Sequence, residues 1–204
     1  LKICQSCNYV GPARDSMGAE RIVERITRGL VGLGHDVTMH LHPDTTESPV
    51  EGAKLVTDIP ADTDIVHYHG WDPHAYASAG VPWVTTIHGY SLHQHPSLAV
   101  GSKHVVAVSD FASRQFGAIQ YVWNCADPDE FVYQPNKDDY FLWMAGTDWG
   151  EGKGLFSTIM LARKLKFNLK IAGSGQNQEI IRQIKSLCDN RIEYLGSVNG
   201  STKV

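Results

Sequence analysis

The chain has 204 residues, of which 42% are hydrophobic and 20% charged, a globular composition with enough apolar surface for a sizeable core. Its formal net charge of −4 excludes a global basic field of the kind that recruits nucleic acid or anionic lipid, so an anionic ligand has to be held locally. No apolar run approaches the roughly 18–20 residues of a membrane span, and no signal-peptide pattern opens the chain, so a cytoplasmic location is expected.

Residues 1–7 read as a strand that delivers the chain to a loop, Asn8-Tyr9-Val10-Gly11-Pro12. Of the four cysteines, Cys4 and Cys7 fall in this first run; their spacing allows a redox or zinc half-site, but no second pair follows, and buried reduced thiols are expected. A helix comes next. Ala19, Ile22, Val23, Ile26, Leu30 and Leu33 recur at three- and four-residue steps, Glu20, Arg21, Glu24, Arg25 and Arg28 take the other side, and Gly34 sits at the C-terminal cap position.

Residues 36–41 read as a second strand, followed by a Thr-, Pro- and Glu-rich loop. Residues 64–69 and 81–87 are the third and fourth strands, with a short helix-compatible stretch at 72–79 between them. A strand at 103–108, a helix at 110–116 and a strand at 119–123 continue the alternation that marks a parallel sheet. The polar, proline-bearing stretch from Asp127 to Asp139 is the best linker, and domains are expected at residues 1–135 and 136–204. Beyond it come strands at 140–145, 168–172 and 191–195 and helices at 155–165 and 178–187, too little for a closed two-faced sheet. The chain opens on Leu1 and stops at Val204 without a terminal element, so both ends are expected to be cut.

Three turns share one design, a strand ending in a glycine-containing loop that opens a helix: residues 16–20, Gly146 to Gly154, and Gly173-Ser174-Gly175. The first turn of such a helix carries unpaired N–H groups and a partial positive charge, and accepts phosphate without a basic patch. Any parallel α/β protein needs glycine in tight turns, and Gly11 and Gly18 do not form the G-x-G-x-x-G dinucleotide fingerprint.

Gly18-Ala19-Glu20-Arg21 heads a helix ending in Gly29-Leu30-Val31-Gly32-Leu33-Gly34-His35-Asp36-Val37-Thr38 and resembles the opening of family-4 retaining glycosyltransferases, a group that includes sucrose-phosphate synthases and lipopolysaccharide and mannosyl transferases. The strand ends at Asp64 to His69, Val84 to Tyr90 and Val105 to Ser109 resemble that family's in order, as do Val122 to Asp127, Trp143 to Gly154 and Leu169 to Gly175. The resemblance covers nearly the whole chain. It implies an α/β fold of two Rossmann-like parallel-sheet domains (the GT-B type) with the second domain incomplete, and transfer of a sugar from a nucleotide-diphosphate donor to a hydroxyl acceptor with retained configuration.

It also implies roles. Met17, Gly18 and Ala19 border the acceptor, and Gly18 also the donor phosphates. His88 approaches the transferred sugar, Lys153 binds the donor diphosphate beside Thr147 and Gly154, and Gly173, Ser174 and Gly175 lie along the nucleotide. His88 and Lys153 are the candidate catalytic residues. A lysine and helix N-termini stabilise the leaving diphosphate without a metal, so no metal and no cofactor are expected. The expected partners are a nucleotide-sugar donor and a glycan, lipid or small-molecule acceptor, with no nucleic acid and no membrane span.

Two departures stand out. Thr147 replaces the arginine the family usually places after the glycine, and Asp148 and Glu151 oppose a phosphate. The family's paired glutamates would belong beyond Val204. Two rivals follow: a non-catalytic nucleotide- or sugar-binding fragment, and a metal hydrolase in which His67, His69, His88 and Asp110 cluster. His93 and His95 read as an exposed loop, and the five tryptophans mostly as core packing with sugar stacking as the alternative.

Overall fold

The computed structural model describes residues 1–13, 18–70, 80–89, 103–118, 120–126, 133 and 135–198. Met17, His93, His95, the helix-compatible stretch at 72–79 and part of the expected linker lie outside them. The chain divides into two compact units, Leu1–Ala126 and Asp127–Val204, a division earlier than the expected boundary at 135/136. No helix among the described residues is long and apolar enough to cross a membrane.

The first unit holds β1 (Lys2–Cys7), α1 (Gly18–Gly32), β2 (Asp36–His40), β3 (Lys54–Val56), β4 (Ile65–His69), β5 (Trp83–Ile87), β6 (Val105–Ala107), α2 (Asp110–Phe116) and β7 (Gln120–Tyr121). Its seven strands form one sheet in the order β3-β2-β1-β4-β5-β6-β7, parallel at every neighbouring pair. This is a Rossmann-like doubly wound sheet. Strand order reverses between β1 and β4, and the carboxyl ends at such a switch point are where these folds bind ligands. Strand β3 falls in the stretch expected to be loop: three residues at a sheet edge carry too little alternation to be read from sequence.

Helix α1 begins and ends close to where its periodicity predicts, and Ile22 and Val23 of the expected apolar face are buried. The buried stripe is nonetheless shifted: Thr27 is fully buried, Leu33 is exposed, and Glu24, expected on the solvent side, is buried. The physical reason lies in the preceding loop, where Glu24 Oε1 accepts from the Tyr9 hydroxyl at 3.1 Å and from the Ala13 amide at 2.6 Å. Two donors compensate the burial of the carboxyl group.

The Cys4/Cys7 spacing loses its redox and zinc readings on β1, because residues three apart on a strand point to opposite faces. Cys4 packs with Val66 and Tyr68, Cys7 with the cluster of Tyr9, Val23, Met39, Leu41 and Val50. Burial raises the Cys4 thiol and pushes that of Cys7 up to about 12, so both stay protonated.

The second unit holds β8 (Phe141–Met144), a 3-10 turn at Thr147–Trp149, α3 (Leu155–Leu165), β9 (Leu169–Ala172), α4 (Gln178–Leu187) and β10 (Ile192–Gly196). Its sheet runs β10-β9-β8, all parallel. Trp143, Leu155, Ile159, Ala162, Leu169, Ile171, Ile184 and Ile192 form its core, with each fully buried aliphatic side chain contributing about 1.5–3 kcal/mol.

Candidate functional site

In the first unit the candidate side chains gather on adjacent strands. Parallel register sets Gln5 of β1 beside His67 of β4, and His69 beside Thr86 of β5; His88 follows β5 by one residue. The alternation of a strand puts His67 and His69 on one face. Their rings lie 3.9 Å apart between centroids, and those of His69 and His88 5.3 Å apart. Gln5 Oε1 meets His69 Nε2 at 2.6 Å, His69 Nδ1 meets His88 Nε2 at 3.0 Å, and His67 Nε2 meets Thr86 Oγ1 at 2.8 Å.

All three imidazoles are held neutral. Burial lowers His67 and His88 to about 4 and His69 well below the ordinary histidine value, with the neighbouring imidazoles adding to the effect at His67 and His69. The metal-hydrolase constellation does not assemble. Both ring nitrogens of His69, with Nε2 of His88 and of His67, are bonded to one another, to Gln5 or to Thr86, Asp110 pairs with Arg114 on α2 at 2.7 Å, and no three His, Cys, Asp or Glu side chains among the described residues converge as cation ligands.

His67, Thr86 and His88 line a cavity of about 270 Å³, walled by Ile22 and Ile26 of α1, Val84, Val106 and the segment Val122 to Cys125. Apolar walls with a few converging polar groups are the usual composition of a small-molecule site. A second cavity of about 380 Å³ opens at the carboxyl ends of β1, β2 and β3, lined by residues including Ser6, Asn8, His40, His42 and Thr57. There Ser6 Oγ lies 3.0 Å from His40 Nδ1. Gln5, Ser6 and His40 were not singled out by sequence reasoning; only strand alternation combined with register brings them into view. Gly18 and Ala19 open α1, and a β-carbon on Gly18 would meet nothing within 4 Å.

In the second unit Lys153 is exposed and Gly154 caps α3 with φ +70°, a left-handed conformation that favours glycine. Gly173 and Gly175 answer a packing demand. A β-carbon on Gly173 would overlap the Ala145 carbonyl, and one on Gly175 would overlap Thr147 Oγ1 and Asp148 Oδ1. Thr147 is fully buried, its hydroxyl without a partner among the described residues and its amide donating to the exposed Ser174 carbonyl at 3.0 Å.

Asp148 holds the turn before α4. Its two oxygens accept from the Gln176 amide at 2.9 Å and the Asn177 amide at 3.0 Å, and those bonds hold its carboxyl below the usual range. Asn177 in turn caps α4 by accepting from the Glu179 and Ile180 amides. An acidic side chain of the protein's own thus takes the amide donors that a glycine turn would offer to an anion.

No protein-family model and no curated protein sequence matches the chain. Among solved structures it is similar to AviGT4, a glycosyltransferase involved in avilamycin A biosynthesis, with a TM-score of 0.69 at 19% identity, over 100% of this chain and 65% of that one. The chain therefore spans about two thirds of the length of that structure. What the likeness establishes is architecture: the two chains share a Rossmann-like α/β fold.

Proposed function

We propose that the chain is part of a retaining glycosyltransferase that moves a sugar from a nucleotide-diphosphate sugar to a hydroxyl acceptor, with His88 meeting the transferred sugar and Lys153 the donor diphosphate. The observation that carries the reading is the correspondence in fold along the entire chain with a glycosyltransferase, and the order of the sequence motifs agrees with it. The departing nucleoside diphosphate develops negative charge, and Lys153 is the cation assigned to oppose it. Neutral His88 meets a sugar as a hydrogen-bonding group rather than as a cation. Neither a metal nor a cofactor has a part in this scheme. Gly18 and Ala19 border the acceptor, and the reaction belongs to the cytoplasm, where nucleotide sugars and free thiols such as those of this chain coexist.

Asp148 favours a second reading, a nucleotide or sugar binder without turnover, because its carboxylate takes amides a donor would otherwise use. Calorimetric titration of the chain with UDP, GDP and ADP, metal chelated, tests both. Saturable binding of one nucleotide, weakened about tenfold or more in Lys153→Ala, is the expected result. Binding to none of the three overturns the nucleotide-sugar assignment for this chain, and binding without sugar transfer from the matching donor favours the second reading.

A further inference from the structure

Helix α3 carries apolar side chains on both of its sides. Leu155, Ile159 and Ala162 face the core of the second unit, yet Met160, Leu161 and Leu165 are 62%, 48% and 62% exposed. At about 3.6 residues per turn, Met160 and Leu161 straddle the outward line of the helix, Lys164 lies between them one turn on, and Leu165 follows Leu161. The neighbouring helix α4 has an ordinary solvent face, because its exposed positions from Gln178 to Ser186 are all polar. The charge around the outer face of α3 has one sign. From Leu155 to Lys170 the chain has four cations, Arg163, Lys164, Lys166 and Lys170, and no Asp or Glu. Arg163 is engaged by the Leu187 carbonyl at 2.9 Å and by Asp189 at 3.9 Å, and Lys170 stands over the Tyr140 ring. Lys164 and Lys166 are exposed and join no ion pair among the described residues.

We infer that the outer face of α3 is a docking surface for an anionic lipid bilayer, with Met160, Leu161 and Leu165 at the boundary between headgroups and acyl chains and Lys164 and Lys166 among the lipid phosphates. A helix of this kind lies in the interface and does not cross it. The two lysines bury their methylene stems beside the apolar side chains while their ammonium groups stay in the headgroup layer. Charge selects this occupant over a second copy of the chain. Two copies meeting through α3 would bring their lysines together with no carboxylate on either helix to answer them, and like charges set against one another are unfavourable. The chain's net charge of −4 leaves the contact favourable, because at ordinary salt each exposed charge is screened beyond about 10 Å. The surface goes beyond the proposed sugar transfer, and neither reading depends on the other.

Co-sedimentation of the chain with sucrose-loaded vesicles tests the inference, one set made of phosphatidylcholine alone and one of phosphatidylcholine with equimolar phosphatidylglycerol. The expected result is binding to the mixed vesicles that weakens with added salt and is about tenfold or more weaker on phosphatidylcholine alone. Lys164→Gln combined with Lys166→Asn is expected to weaken binding to the mixed vesicles about tenfold or more; asparagine suits the left-handed backbone at position 166, where φ is 61°. Met160→Gln combined with Leu161→Gln is expected to abolish binding, with the circular dichroism of the chain unchanged. Absence of binding to the mixed vesicles overturns the inference. So does equal binding to both sets, or wild-type binding by either double variant. Self-association that Met160→Gln with Leu161→Gln removes, without sedimentation on vesicles, overturns it in favour of a second copy. Should the Met160/Leu161 variant fail to fold, the lysine variant alone decides.

Discussion

The Tyr9 hydroxyl reaches across the loop between β1 and α1 to Glu24, 3.1 Å away on the second turn of the helix, and both side chains are buried. Together with the bond from the Ala13 amide, this one carboxyl group ties the loop that leads into Gly18 to the helix that follows it. Glu24→Ala strands one buried and one part-buried donor and is expected to cost about 2–3 kcal/mol, read by urea denaturation of the chain. Glu24→Gln keeps an acceptor and is expected to lose about half as much. A cost of Glu24→Ala within error of zero would mean that the loop is held by something else.

Acid sensitivity follows from the histidines. His67 and His88 sit at about 4 and His69 well below the ordinary value, against about 6.5 in an unfolded chain. The unfolded state therefore binds more protons in the interval from 6.5 down to 4. Stability is fully present above pH 6.5 and is lost as pH falls through that window, with a slope of up to about 1.4 kcal/mol per pH unit for each buried imidazole. Urea denaturation midpoints at half-unit steps from pH 8 to pH 4 check this. Stability that stays flat to pH 4.5 would show that the three rings are not buried as neutral groups.

Much of the framework was legible because strong local signals agreed with the tertiary structure. Helices α2, α3 and α4 occupy the spans their periodicity predicts, and the strand ends that carry the family resemblance are the ends of β4, β5 and β6. What escaped has physical causes. The burial of Glu24 depends on two donors brought from an irregular loop, and no helical period encodes those. The link from Gln5 to His69 spans 64 positions and exists only because β1 and β4 pair in that register. The overlap that would follow from a side chain at Gly173 or Gly175 comes from residues 145, 147 and 148, nearly thirty positions away in sequence, so the sequence offers a tight turn or a ligand as reasons for glycine but not this close approach.

The glycines separate packing from binding by experiment. Gly173→Ala forces a β-carbon into the Ala145 carbonyl and Gly175→Ala into Thr147 and Asp148, so each is expected to destabilise the second unit by about 1–3 kcal/mol or more, as overpacking does. Gly18→Ala places a methyl group in open space at the start of α1, and its stability is expected within about 0.5 kcal/mol of wild type. Thermal denaturation of the three variants distinguishes these outcomes. If Gly18→Ala folds normally and loses nucleotide or acceptor binding, the glycine is there for the ligand; if it folds and binds as wild type does, Gly18 leaves the site.

Asp148 gives the last expectation a definite sign. Its carboxylate bonds the Gln176 and Asn177 amides at the turn before α4, and it lies in the same Gly-rich loop as Lys153. Asp148→Asn keeps one oxygen to accept from an amide but removes a negative charge from a loop assigned to a diphosphate. If that assignment is right, affinity for the preferred nucleoside diphosphate rises by about two- to fivefold, the scale of one exposed charge, and the gain shrinks with added salt. The carboxyl group is held below its ordinary value, so wild type keeps this stabilisation above pH 4 and loses it as pH falls further, while Asp148→Asn shows no such fall from this residue. Titration calorimetry at two salt concentrations reads the binding half of the expectation. Affinity that drops in Asp148→Asn would place Asp148 among the groups that hold the ligand and would move the diphosphate away from this loop.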